Sequence, residues 1–182
     1  MSPEKDAYLC EKYPKIFVNR TATPMESCMS WGFEINDGWF QLINHACSLI
    51  QSHIDWKNEQ IEKNIKFNLA IEKASAGDLS SLYEVMSIEN PDMVSTWQQE
   101  QIDKALAGEM RQVSDKIPQL VADQIKEKFG TLRFYTSGGD DYTDGVVRMA
   151  ESMSCVTCEV CGKPGMTNGK GWIKTTCEEH TK

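Results

Sequence analysis

Two short pairs of residues near one end constrain this chain more than any other feature. Cys158-Glu159-Val160-Cys161 is followed, fifteen residues later, by Cys177-Glu178-Glu179-His180. Two residues between donors is the spacing at which one tight turn aims two side chains at a single ion. Cys161 is followed by Gly162, and Lys163-Pro164-Gly165 turns the chain away, as in a zinc knuckle. Asn168-Gly169 is a hairpin signal that lets Trp172-Ile173-Lys174 run back and deliver the second pair. The expectation is a C-terminal zinc ribbon over 154–182 that holds one Zn²⁺ through Cys158, Cys161, Cys177 and His180. Four protein donors close the coordination sphere, which marks a structural ion and not a catalytic one. A segment this short has no core of its own to fold around.

Seven cysteines would also suit a disulfide scaffold, but four of them fall within residues 155–177. With no secretory pattern at Met1-Ser2-Pro3-Glu4-Lys5-Asp6, reduced thiols and a metal are the expected state. Cys155 forms a second CxxC with Cys158. It stands either as an alternative ligand or as a small residue at a helix end, and Cys161-Gly162 fits the knuckle better. Cys10, Cys28 and Cys47 read as buried or semi-buried thiols.

The rest of the chain reads as a mostly helical body over 1–153 with a small β-sheet, α+β in class. Residues 1–30 are irregular, with a short strand expected at Ile16–Val18. Asn36-Asp37-Gly38 opens a helix with Trp39, Ile43, Ala46, Ile50 and Ile54 on one face. A second helix is expected over 58–74 with Ile61, Ile65 and Leu69 inward, stopped by Gly77. A short helix over Leu79–Met86 and another from Pro91 to about Met110 complete a helical, acidic block over 58–110 that reads as an insert. Val121, Ile125 and Phe129, four apart, predict a helix after Pro118. Thr131–Thr136 alternates β-formers and predicts a strand, with Leu132 and Phe134 on one side and Arg133 and Tyr135 on the other. Residues 140–153 return to helix. Trp31, Trp39, Trp56 and Trp97 are expected in the core or at a junction.

The net charge is −8, and the whole excess lies in the first 110 residues. This argues against nonspecific nucleic-acid binding by the chain as a whole, but leaves room for a local basic strip. No stretch is long and apolar enough for a membrane helix. Lys126, Lys128, Arg133 and Tyr135 form the candidate binding patch, for a phosphate, a base or an acidic peptide. The ribbon lysines Lys163, Lys170 and Lys174 would either offset thiolate charge or extend such a patch. No catalytic set is evident. His45 and His53, eight apart, suit solvated or capping imidazoles. Asp140, Asp141 and Asp144 suit the positive end of a helix, with a divalent cation as the alternative.

Three segments resemble a family of small uncharacterised proteins from tailed phages and prophages. They are Lys126-Glu127-Lys128-Phe129-Gly130-Thr131-Leu132-Arg133-Phe134-Tyr135, Ala150-Glu151-Ser152-Met153-Ser154 followed by Thr157 to Gly165, and Gly171 to His180. Gly38-Trp39 and the helix after it resemble the family's N-terminal part. The resemblance implies a setting, a phage gene acting in the bacterial cytoplasm, and no chemistry. The function expected is that of a nonenzymatic accessory protein that binds a host macromolecule, such as a counter-defence or host-takeover inhibitor. The alternative is a nucleic-acid or nucleotide-signal binder using Arg133, Tyr135 and the ribbon lysines.

Overall fold

The computed structural model of the chain describes residues 1–169 and 171–181, so the reading of Lys170 as a ribbon lysine lies outside the described residues. The architecture is α+β, a helical body with a three-stranded and a two-stranded sheet. Two compact units form. One combines Met1–Asp55 with Ile117–Lys182, and the other is Trp56–Lys116.

In the first unit, helix α1 spans Pro3–Lys12 and buries Leu9. The expected strand at Ile16–Val18 is absent. Ile16 instead accepts a single bond from the Ala122 N–H, and Val18–Thr21 forms a 3₁₀ turn. Strand β1, Phe33–Glu34, is followed by helix α2, Phe40–Ser75. One helix thus stands where two were expected. No Gly or Pro interrupts residues 55–57, so nothing in the backbone ends the first helix there. Ile43, Cys47, Ile50 and Ile54 form its buried stripe in this unit, continued from the buried Trp39 in the 3₁₀ turn just before it.

Strand β2, Val121–Lys128, occupies the stretch expected to be helical. The pairing register with strand β3, Thr131–Ser137, shifts between Ala122 and Gln124. That bulge puts Ala122 and Ile125, three residues apart, on the same buried face. A bulged strand therefore carries a three-residue apolar spacing that imitates a helix. β1 pairs with β2 in parallel, Phe33 opposite Ile125, and β3 pairs with it antiparallel. Leu132 and Phe134 face the core with Val147 and Ala150 of helix α5, Asp141–Ser154. Phe129, expected inward, sits exposed at the β2–β3 turn with φ of +54°, beside Gly130 at +77°. Both turn residues are left-handed, as a two-residue hairpin demands.

The ribbon's hairpin is strand β4, Met166–Asn168, paired antiparallel with strand β5, Lys174–Thr176. It belongs to the same compact unit as the body.

The second unit contains the end of α2, helix α3 (Ser80–Val85) and helix α4 (Thr96–Ala107). Gly77 follows α2 with φ of +97°, and a Ser95–Gln98 capping box opens α4. Its own core is Ala70, Ile71, Leu82, Ile88 and Ile102. Of the four tryptophans expected in the core or at a junction, only Trp39 is buried, and Trp56 stands where the second unit begins. Trp31, Trp56 and Trp97 are each more than half exposed. No helix among the described residues is long and apolar enough to cross a membrane.

Candidate metal centre and sheet face

Cys158, Cys161, Cys177 and His180 converge, with all donor atoms within 4.8 Å of one another. His180 Nδ1 lies 3.2 Å from Cys177 Sγ and 3.7 Å from Cys158 Sγ, and Cys161 Sγ is 3.7 Å from Cys177 Sγ. A tetrahedron with metal–sulfur bonds of about 2.3 Å has edges of about 3.7 Å, so these separations fit one four-coordinate ion. The four residues could hold a metal ion, and among the described residues no other cluster of three or more such donors approaches this closely.

Local backbone supports the thiolates. The Gly162 N–H donates to Cys158 O at 2.9 Å, closing the knuckle turn. Burial opposes ionisation of Cys158, yet the N–H groups of Cys177, Cys161 and Val160 outweigh it and hold the thiol down at about 6. At Cys161 the Lys163 N–H favours the thiolate, but desolvation and the neighbouring Cys158 and Cys177 thiols push the pKa up. Cys155 stands outside the cluster, with its Sγ 3.8 Å from Glu151 O.

The metal segment is clasped by the Asn36–Trp39 corner, for which the sequence carries no local signal. The Gly38 N–H donates to Glu159 O at 2.8 Å, and the Trp39 indole N–H donates to Thr157 O at 2.8 Å. Asn36 Nδ2 donates to Glu159 Oε1 at 2.8 Å. Glu159 is buried, and its Oε2 has no hydrogen-bond partner among the described residues, with Lys174 Nζ 3.7 Å away. Burial raises its pKa while Lys174 lowers it, and the net direction is up. Lys163 is engaged by Glu179 at 2.7 Å, so both described ribbon lysines face acidic partners.

The other candidate patch comes together differently from its sequence reading. On a strand, Lys126 and Lys128 share a face, as they would not on a helix. Lys126 pairs with Arg133 and Gln124 with Tyr135 across the ladder, opposite to the buried Ile125–Phe134 pair. Lys126, Lys128, Arg133 and Tyr135 therefore all project from the outer sheet face. Lys126 Nζ lies 5.4 Å from the Tyr135 ring centre, and Lys128 Nζ lies 5.5 Å from that of Phe129. None of the three cations has an ion-pair partner among the described residues, whereas Lys5, Lys15, Arg20, Lys163 and Lys174 do. Glu34 of β1, alongside Lys126, is held by Gln124 at 3.1 Å.

His45 is exposed, but His53 does more than cap. Its Nε2 is 2.8 Å from Asp140 Oδ2, and Tyr142 stacks on its ring at 4.1 Å. Asp140 also accepts the Thr143 N–H as the N-cap of α5. Both its oxygens thus carry a hydrogen bond, and Asp140, Asp141 and Asp144 do not gather into a metal-holding group among the described residues. Burial opposes its ionisation, yet His53 and the Thr143 N–H outweigh that and lower its pKa. A depressed carboxylate pKa adds stability above the unfolded value of about 3.9, lost as pH falls through the folded value. Asp140→Asn keeps a capping side chain. The variant should lose less stability than the wild type on acidification from about pH 5 to about pH 2, measured by denaturant melts.

Cys47 is buried and Cys10 partly so, where burial and Asp6 push the thiol up to about 12. Cys28, expected semi-buried, is exposed.

No protein-family model matches the chain, and neither curated proteins nor solved structures gave a match.

Proposed function

We propose that the protein is a nonenzymatic binding protein whose structural ion is Zn²⁺ and whose outer sheet face holds single-stranded nucleic acid. Three thiolates and one imidazole form a donor set that favours zinc over harder cations, and a closed set leaves no position for substrate. The setting is the one implied by the resemblance to phage and prophage proteins, an accessory protein acting on a host macromolecule in the bacterial cytoplasm.

The observation that carries the reading is the cation cluster Lys126, Lys128 and Arg133, without a carboxylate partner among the described residues and interleaved with Tyr135 and Phe129. Alternating cations and aromatic rings is how proteins hold single strands, with phosphates on the cations and bases on the rings. Trp172 and Ile173 join Phe129 and Lys128 around a shallow cavity of about 430 Å³ at the hairpin tip and extend the apolar surface. The face is locally basic although the chain is acidic overall, which suits contact with one strand better than wrapping of a duplex.

Fluorescence anisotropy with short DNA and RNA oligonucleotides tests this. Binding is expected at about 50 mM salt, with log K falling against log salt at a slope of about −2 for three phosphate contacts. Arg133→Ala should weaken binding about tenfold and flatten that slope by about 0.7. No binding at low salt would sink the proposal.

A second reading, a host protein as partner, is favoured by Met25 and Trp31, 95% and 69% exposed. Exposed Met and Trp are enriched at protein interfaces. Capture of a host protein that is lost on Trp31→Ala and unaffected by Arg133→Ala would support it.

A further inference from the structure

The Trp56–Lys116 unit, which the proposed nucleic-acid contact does not use, carries a built recess. A cavity of about 730 Å³ opens in this unit, with Met86 and Ile88 among its apolar lining and Phe67 and Trp97 supplying aromatic surface. Three cations line it, Lys63, Lys66 and Arg111, against the single carboxylate of Glu84. That is a positive lining in a block whose surface is otherwise acidic.

Arg111 is held in place before any ligand arrives. Its guanidinium lies 3.6 Å from the centre of the Phe67 ring. Its backbone is clamped by one side chain of α2: Asn68 Oδ1 accepts the Arg111 N–H at 2.8 Å, and Asn68 Nδ2 donates to Arg111 O at 2.8 Å. Asn64, one turn earlier, donates to Gln112 O at 3.1 Å. An irregular segment is thus fixed to a helix at the one arginine of the unit, and no carboxylate pairs with that arginine among the described residues. Lys63 is tied to Glu59, whereas Lys66 has no ion pair among the described residues. Trp97 is 68% exposed on the first turn of α4, which the Ser95–Gln98 capping box fixes.

We infer that this cavity is a binding site for a small anion carrying a planar ring, of the mononucleotide class. The volume falls within the range of small-ligand sites, roughly 300–1,000 Å³. A stacked, immobilised guanidinium presents a planar fork matched to phosphate oxygens, and ordering it in advance lowers the entropic cost of binding. Lys66 adds a second charge for the phosphate, and the exposed indole of Trp97 offers a stacking surface for the ring. The inference does not depend on the sheet face.

Isothermal titration of the full chain with AMP, GMP, CMP, UMP, the matching nucleosides and inorganic phosphate tests it. Saturable binding of at least one mononucleotide is expected, with nucleoside and phosphate alone each weaker by about tenfold or more. Arg111→Ala and Trp97→Ala should each weaken binding by about tenfold or more, and Arg111→Lys should recover only part of the loss. Lys66→Glu, on an exposed helix position, should weaken it as much without risk to the fold. Arg133→Ala should have no effect. The inference is overturned if no mononucleotide binds at millimolar concentration, or if binding survives Arg111→Ala, Trp97→Ala and Lys66→Glu. Loss of binding in Arg133→Ala alone would also overturn it and move the nucleotide to the sheet face.

Discussion

Chelating the metal is expected to unfold residues 157–181 while the three-stranded sheet and the first half of α2 keep their hydrogen-exchange protection. The buried residues of that segment are Cys158, Glu159, Thr175, Thr176 and Cys177, with no buried aliphatic or aromatic side chain among those described. Burying hydroxyls, a carboxylate and thiols supplies little hydrophobic stabilisation. A bound ion would therefore provide most of it, on the order of 10 kcal/mol for a four-ligand site at neutral pH. Without the ion, Cys158, Cys161 and Cys177 become three thiols within van der Waals reach, and the Thr157 and Glu159 contacts to the body lose their anchor. Cys177→Ser should do to the segment what the chelator does, whereas Cys155→Ser should leave metal content at one ion per chain. Metal analysis with hydrogen exchange reads both outcomes. Protection over 157–181 that survives complete metal removal would contradict the account.

The second large effect is expected from one methyl group. A Cβ at Gly38 would lie 2.2 Å from Cys158 O and 2.5 Å from Glu159 O, both backbone atoms that cannot rotate away. Gly38→Ala must push the knuckle off the body or bend the corner that leads into α2. Either movement breaks the Gly38–Glu159 bond and pulls the Trp39 indole from Thr157. The loss should reach at least about 3 kcal/mol, the upper range for steric overpacking. Gly145 is the control, a helical glycine with no atom within 4 Å of a built Cβ. Gly145→Ala should stabilise by about 1 kcal/mol through helix propensity. Urea melts of the two variants should thus move in opposite directions. Equal midpoints for Gly38→Ala and wild type would refute the close-packing argument.

The readable parts of the sequence were those where one residue type has few uses. Two CxxC/H pairs and a following Gly marked the metal donors. Alternating β-formers marked the strand at Thr131–Thr136, and the acidic Asp140 and Asp141 marked the start of α5. The misread parts were those where one local pattern serves two structures. Val121, Ile125 and Phe129 lie four apart as on a helix, yet of the three only Ile125 is buried in the strand that forms, and that error hid the shared face of Lys126 and Lys128. The join between the two apolar patterns of α2 looked like a break because the stripe pauses at 55–57, although its backbone has no reason to stop. Contacts between distant segments left no trace at all. Nothing near Asn36 announces Glu159, and nothing near Asn68 announces Arg111, since each pairing depends on how the chain closes in space.

Gln51 and Gln119 lie 68 positions apart and exchange side-chain amide hydrogen bonds at 3.1 and 3.0 Å. The intervening chain is therefore a closed loop in the polymer sense, whose mouth the body holds shut. Loop-closure entropy grows only with the logarithm of length, so shortening that loop to about eight residues would relieve about 2 kcal/mol at most. The body is then nearly indifferent to how much chain passes between those two glutamines. The block that carries the cavity is free to vary in size and content at almost no thermodynamic cost to the fold that hosts it.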